Sequence, residues 1–269
     1  MDEMEGDSHG LRRWGAAGAF FALVFAVWMF FFPDQIVTDF AWEVKPRLAQ
    51  AFVGAGYIFR TGFFLAFVRE RAWRRLRWAF WGNVTFTGTL LLATFWHADQ
   101  FMWRGFVAHL WIILYVAEPV TMIFTAPRGE AARQRSMTSG GPVQNGLRWL
   151  LILEVAILGT LGALLVINPA FANMRWPWAL NPLDARIIAA WFLGWAVWAG
   201  AMAFASDWDE IRVGAALNLL FGVAVLFSIV AFRGEFDFSQ GTTLTYAVGT
   251  LLLTLAMAFF TWRQERARP

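Results

Sequence analysis

Eight runs of about twenty mostly apolar residues, joined by short links, leave this chain few folds to choose from. They cover residues 14–32, 48–68, 78–96, 105–126, 150–167, 187–205, 213–232 and 242–262. A helix rises about 1.5 Å per residue, so about 20 apolar residues match the roughly 30 Å hydrocarbon layer of a bilayer. In that layer the backbone must satisfy its own hydrogen bonds, which only helices and closed barrels achieve. These runs lack the period-2 alternation of barrel strands. The pattern predicts an all-α integral membrane protein with eight transmembrane helices. Composition agrees, with 59% hydrophobic and 15% charged residues, against roughly 45–50% and 25% in soluble domains. A chain so apolar is neither a nucleic-acid module, nor a secreted disulfide scaffold, nor a disordered segment.

Charge sets the expected orientation. The 22 basic residues are Lys45 and 21 arginines, and most lie in the links. With the N-terminus inside, fifteen fall on the inner side and six outside (Lys45, Arg47, Arg104, Arg175, Arg186 and Arg233), leaving Arg60 within a run. The positive-inside rule then places both termini in the cytoplasm, across a plasma (inner) membrane. Residues 1–10 form a polar tail unlike a signal-peptide start, and no A-x-A site follows, so the first run is expected to be retained. The Arg69-Glu70-Arg71-Ala72-Trp73-Arg74-Arg75-Leu76-Arg77 link is strongly basic. Attraction to anionic lipid, at about 1 kcal/mol per basic residue, accounts for it, and Asp207, Asp209 and Glu210 are candidate protein partners.

The two halves of the chain match at a nearly fixed spacing. Leu11-Arg12, Pro33, Trp42 and Pro46 recur 136 residues later as Leu147-Arg148, Pro169, Trp178 and Pro182. Trp73, Arg77, Asn83 and Phe101 recur 135 later as Trp208, Arg212, Asn218 and Phe236. The expected organisation is a four-helix repeat over 11–127, a cytoplasmic linker over 128–146, a second repeat over 147–263 and a tail over 264–269. Four helices per unit make the repeats parallel, related by a pseudo-two-fold axis along the membrane normal. The stretches Phe32-Pro33-Asp34, Phe40-Ala41-Trp42-Glu43-Val44-Lys45-Pro46 and Gly54-Ala55-Gly56-Tyr57 resemble a motif of uncharacterised bacterial polytopic membrane proteins. The same holds for 176–186, Trp191-Phe192 and Phe236-Asp237-Phe238. That resemblance implies a common fold and brings no activity with it.

Charged and amide groups at membrane depth are the candidate site, because burying them is costly. Arg60, Glu118 and Glu154 lie nine, ten and six residues from the inner arginines Arg69, Arg128 and Arg148. Asn83 and Asn218 each lie six residues past one. All five therefore sit roughly 9–15 Å from the inner boundary. Arg60 should pair with Glu118, its nearest match in depth, or with Glu154. Two readings are open: ties that hold helices in register, or an ion, proton or anionic-substrate site, with Pro119 loosening the helix beside Glu118.

Other motifs carry less. The chain has no Cys, so thiol catalysis, disulfides and Cys-held metals are excluded. His97 and His109 bracket an outer loop and are weak candidates for a metal or a haem; no cofactor is predicted. Thr243, Thr250, Thr254 and Thr261 share one stripe of the last run, either lining a path or bonded back to their own helix. No G-x-S-x-G, H-E-x-x-H or P-loop occurs. The expected function is a small transporter or permease-like protein. The alternative is a structural or accessory subunit of a membrane complex, and the third reading a lipid-modifying membrane enzyme. The expected partners are the bilayer, anionic lipid at the inner arginines, and a second copy of the chain or a membrane complex.

Overall fold

The computed structural model describes residues 2–70, 75–133 and 140–268; Arg71, Arg74 and Arg135 of the basic links, with the middle of the 128–146 linker, lie outside them. The described chain is helical throughout, with ten α-helices. They are α1 (Asp2–Phe31), α2 (Pro33–Asp39), α3 (Arg47–Arg69), α4 (Ala79–Trp96), α5 (Phe106–Arg133), α6 (Asn145–Ile167), α7 (Pro169–Asn173), α8 (Pro182–Ala203), α9 (Trp208–Ala231) and α10 (Gly241–Arg266). Residues 2–10, expected as a tail, continue α1.

Seven of the eight long helices are long and apolar enough to cross a membrane. The other, α4, has 18 residues and carries Asn83 with Thr85, Thr87, Thr89 and Thr94, which lower its hydropathy. The short helices α2 and α7 were not expected. Each begins on a proline, Pro33 or Pro169, whose fixed φ suits a first helical position while its missing N–H breaks the helix before it. Asn168 caps α7, its side chain accepting from the Phe171 N–H at 3.1 Å. Asn181 caps α8 and Asp207 caps α9 in the same way, each at 2.8 Å.

Both halves run in one order: long helix, short helix, two long helices, a 3-10 turn, long helix. Their contacts also fall in matched sets. Helix α1 packs on α3 as α6 packs on α8; α9 packs on α3 as α4 packs on α8; α4 meets α5 as α9 meets α10. Buried residues make up 72% of the apolar stretch of α3 and of α8 at the centre, against 17% for α10 on the rim. Close approach at the centre needs glycine, since a Cβ on Gly56 of α3 would stand 2.5 Å from the Trp191 ring of α8. Four rings pack alike at one end of each half. Trp42 lies 4.9 Å from Phe40, 5.5 Å from Phe101 and 4.8 Å from Trp111. Trp178 lies 5.3 Å from Trp176, 6.1 Å from Phe236 and 5.4 Å from Tyr246, each partner 135 or 136 residues on.

Candidate functional site

Arg60 projects from the middle of α3 and is 2% exposed. An unpaired guanidinium at that depth would cost roughly 2.5–3.5 kcal/mol on insertion scales, and here each end of the group is matched. Its Nη2 pairs with Glu118 of α5, and its Nη1 donates to Asn83 Oδ1 of α4 at 2.6 Å. The Asn83 amide passes the chain on, donating from Nδ2 to Met122 Sδ at 3.0 Å. Around it, the Phe63 and Phe64 ring centres lie 4.5 Å from the guanidinium carbon and that of Phe86 lies 5.2 Å away. Aromatic faces carry negative potential, so they offset part of the cation's desolvation.

Glu154 and Asn218 do not join this cluster. They form a second centre, where Asn218 Nδ2 of α9 donates to Glu154 Oε2 of α6 at 2.7 Å, with the Trp195 indole of α8 close to the same carboxyl. The single polar layer expected from depth is therefore two centres. Matching the halves explains the split. Asn83 corresponds to Asn218, but Arg60 corresponds to Trp195 and Glu118 to Leu253, 135 residues on in each case. Trp195 packs edge-on to Phe59, the neighbour of Arg60, at 4.8 Å, so rings connect the two centres.

The first centre borders a cavity of about 130 Å³ between α1, α3 and α5. Its walls are Trp14, Phe21, Phe25, Phe64 and Trp111, and Arg60 and Glu118 close one side. Two tyrosines missing from the expected site also line it. Tyr57 and Tyr115 bring their hydroxyls to 3.4 Å of each other. The sequence does carry a signal for them, since Tyr57 and Tyr115 each lie three residues before a buried charge, Arg60 and Glu118. Residues three apart share a helix face. Helices α1 and α5 touch only sparsely, and the two exposed residues of the lining, Ala17 and Ala117, flank the gap between them. Gly18 keeps the floor thin, because a Cβ there would stand 2.5 Å from the Phe64 ring.

The histidines take separate partners. Arg186 donates to His97 Nε2 at 2.7 Å, and Gln100 meets its Nδ1 at 3.1 Å. Burial and the Arg186 guanidinium hold His97 below its ordinary value. His109 is exposed and its Nδ1 bonds the Gly105 carbonyl at 3.0 Å. Among the described residues no three His, Asp or Glu side chains are gathered to hold a metal ion. Within the α10 stripe Thr254 donates to the Thr250 carbonyl at 2.7 Å and its hydroxyl fills the space beside Gly222, whereas the Thr243 hydroxyl is buried without a partner among the described residues.

Polar ties join the halves at both ends. Asp209, 0% exposed, accepts from Arg75 at 3.3 Å and Arg268 at 2.9 Å, and Arg77 donates to Glu210 at 2.6 Å. At the other end Trp42 donates to Asp184 at 2.8 Å. No family model, curated relative or solved structure matches the chain.

Proposed function

We propose that the protein is a small permease-like membrane protein whose working site is the Arg60–Glu118 centre and the cavity beside it. The observation that carries this reading is the position of the ion pair. A pair serving only to lock helices would be enclosed by them, but this one borders open volume between α1, α3 and α5. Largely apolar pockets with a few convergent polar groups are the usual form of a small-molecule site.

In this reading the eight long helices all span the membrane, including α4, whose low hydropathy reflects Asn83 placed to meet Arg60. The matched contacts support two parallel four-helix repeats. Both termini lie in the cytoplasm of a cell with this protein in its plasma membrane, and the exposed Arg13 and Arg69 attract anionic lipid there.

A permease must open its site to water. Cysteine placed at Ala22 or Leu114, on the cavity wall, should react with an impermeant thiol reagent from at least one aqueous side. No native Cys interferes. Cysteines at Arg104 and Arg175 should react only from outside, and one at Arg148 only from inside. If both wall positions stay unmodified from either side while the link positions react, the permease reading fails.

The second centre favours a structural role within the same molecule. Glu154 and Asn218 tie α6 to α9 and, like the nearby Trp195, take no part in the cavity lining.

A further inference from the structure

The cavity's size, charge balance and polar atoms narrow what can occupy it. A volume of about 130 Å³ is close to the roughly 150 Å³ of an engineered apolar cavity that binds benzene. One ring with a small substituent fits; a lipid headgroup does not. Seven of the fourteen lining residues are aromatic, and such walls favour edge-to-face packing with another ring. Charge is already balanced, since Arg60 meets Glu118 and its other nitrogen meets Asn83. An ionised guest would leave one buried charge unmatched. The Tyr57 and Tyr115 hydroxyls share one bond at 3.4 Å, long for an O–H···O contact. One O–H and the remaining lone pairs can therefore serve a guest.

We infer that the cavity binds a neutral, single-ring aromatic compound bearing one hydroxyl or carbonyl, held by the Tyr57 and Tyr115 hydroxyls and admitted from the bilayer between α1 and α5. This rests on the cavity being the working site. Neutral aromatic compounds partition into membranes, and the gap flanked by Ala17 and Ala117 faces that reservoir.

The test uses the full chain in phosphatidylcholine nanodiscs and fluorine NMR of three probes: 4-fluorophenol, fluorobenzene and 4-fluorobenzoate. Saturable line broadening of 4-fluorophenol is expected, above that in empty nanodiscs, with about tenfold weaker binding of fluorobenzene for the loss of one hydrogen bond. Ala17→Trp should fill the gap from an exposed position and abolish the broadening. Ala117→Trp, on the other helix, gives the same readout if the first variant does not fold. The double variant Tyr57→Phe/Tyr115→Phe should keep fluorobenzene binding and lose the preference for 4-fluorophenol. Equal binding of 4-fluorophenol and fluorobenzene by the unaltered protein would overturn the assignment, as it would mark a site for any apolar guest, acyl chains included. Binding of 4-fluorobenzoate alone, blocked by Ala17→Trp, would overturn the ligand class and leave the site standing. No probe signal sensitive to either tryptophan variant would remove both.

Discussion

Asn83 and Asn218 hold matching places on α4 and α9 but turn opposite ends of their amides to their partners. Asn83 offers Oδ1 to the Arg60 guanidinium, and Asn218 offers Nδ2 to the Glu154 carboxyl. Arg has only donors and an ionised carboxylate only acceptors, and an amide supplies either. One residue type thus suits two centres of opposite character. Asp substitution separates them. Asn83→Asp keeps acceptors toward Arg60, whereas Asn218→Asp sets two carboxyls against each other. Unfolding of both variants in mixed micelles should show Asn218→Asp the more destabilised; a reversed order would contradict the assigned bonds.

The Arg60–Glu118 pair sets up a second comparison. Removing one member of a buried pair costs about 3–5 kcal/mol, while replacing both by apolar residues is often near neutral. Arg60→Leu should therefore lose about that much stability, and Arg60→Leu/Glu118→Leu should recover most of it. Equal losses in the single and double variants would mean that Asn83 and the flanking rings, rather than Glu118, hold the guanidinium.

His97 gives the protein an acid-sensitive contact. Its Nε2 must be unprotonated to accept from Arg186, and burial together with that guanidinium keeps its pKa below the ordinary 6.5. The unfolded chain takes up the proton near 6.5 and the folded one only at lower pH. The stabilising contribution is thus complete above about pH 6.5 and declines as the pH falls below it. Asp99 nearby opposes the shift without reversing it. Between pH 7.5 and 5.5 the melting temperature of the unaltered protein should fall more than that of His97→Gln. Parallel profiles would show that His97 contributes nothing to the slope.

At the end of the molecule that holds the C-terminus, Asp209 accepts from both Arg75 and Arg268, whose side chains are 30% and 31% exposed. Asp209→Ala should cost between the roughly 1 kcal/mol of an exposed pair and the 3–5 kcal/mol of a buried one. Because the arginines reach water, salt should reduce the difference between variant and parent. A difference unchanged from low to high salt would assign the cost to packing.

The long helices and the partner of Arg60 were legible in the sequence because both follow from length. Twenty apolar residues make a span, and equal distance from the inner arginines puts Arg60 level with Glu118. Depth is one coordinate only. It could not say that Asn218, on a helix that packs on α3, turns to Glu154 of α6 and away from Arg60, so Glu154 and Asn218 were grouped with a cluster they do not join. Hydropathy also hid the start of α8. Asp184 and Arg186 interrupt the apolar pattern before residue 187, yet both are buried in its first turn, where Asn181 caps the helix. The short helices α2 and α7 were missed for a similar reason, being only 7 and 5 residues long and too brief to show a period. The cavity depends on how α1 and α5 splay, which no single run records.

The aromatic clusters around Trp42 and Trp178 provide the last comparison. Trp42 and Trp178 correspond, and their rings pack on matching neighbours, Trp111 at 4.8 Å and Tyr246 at 5.4 Å. Only Trp42 uses its indole N–H, donating to the 2% exposed Asp184 across the two halves. The Trp178 indole N–H is buried without a partner among the described residues. A phenylalanine at either place gives up similar ring area, so that loss cancels between the variants. What differs is the polar atom. Trp42→Phe takes a donor from a buried carboxyl, at about 1–3 kcal/mol, whereas Trp178→Phe removes a buried donor that gains nothing from the fold. Trp42→Phe should therefore be the less stable of the two by about that amount. Equal destabilisation would mean that the Trp42–Asp184 bond adds nothing to the joining of the halves. A larger loss for Trp178→Phe would mean that its indole has found a partner, such as an ordered water, that holds it in place.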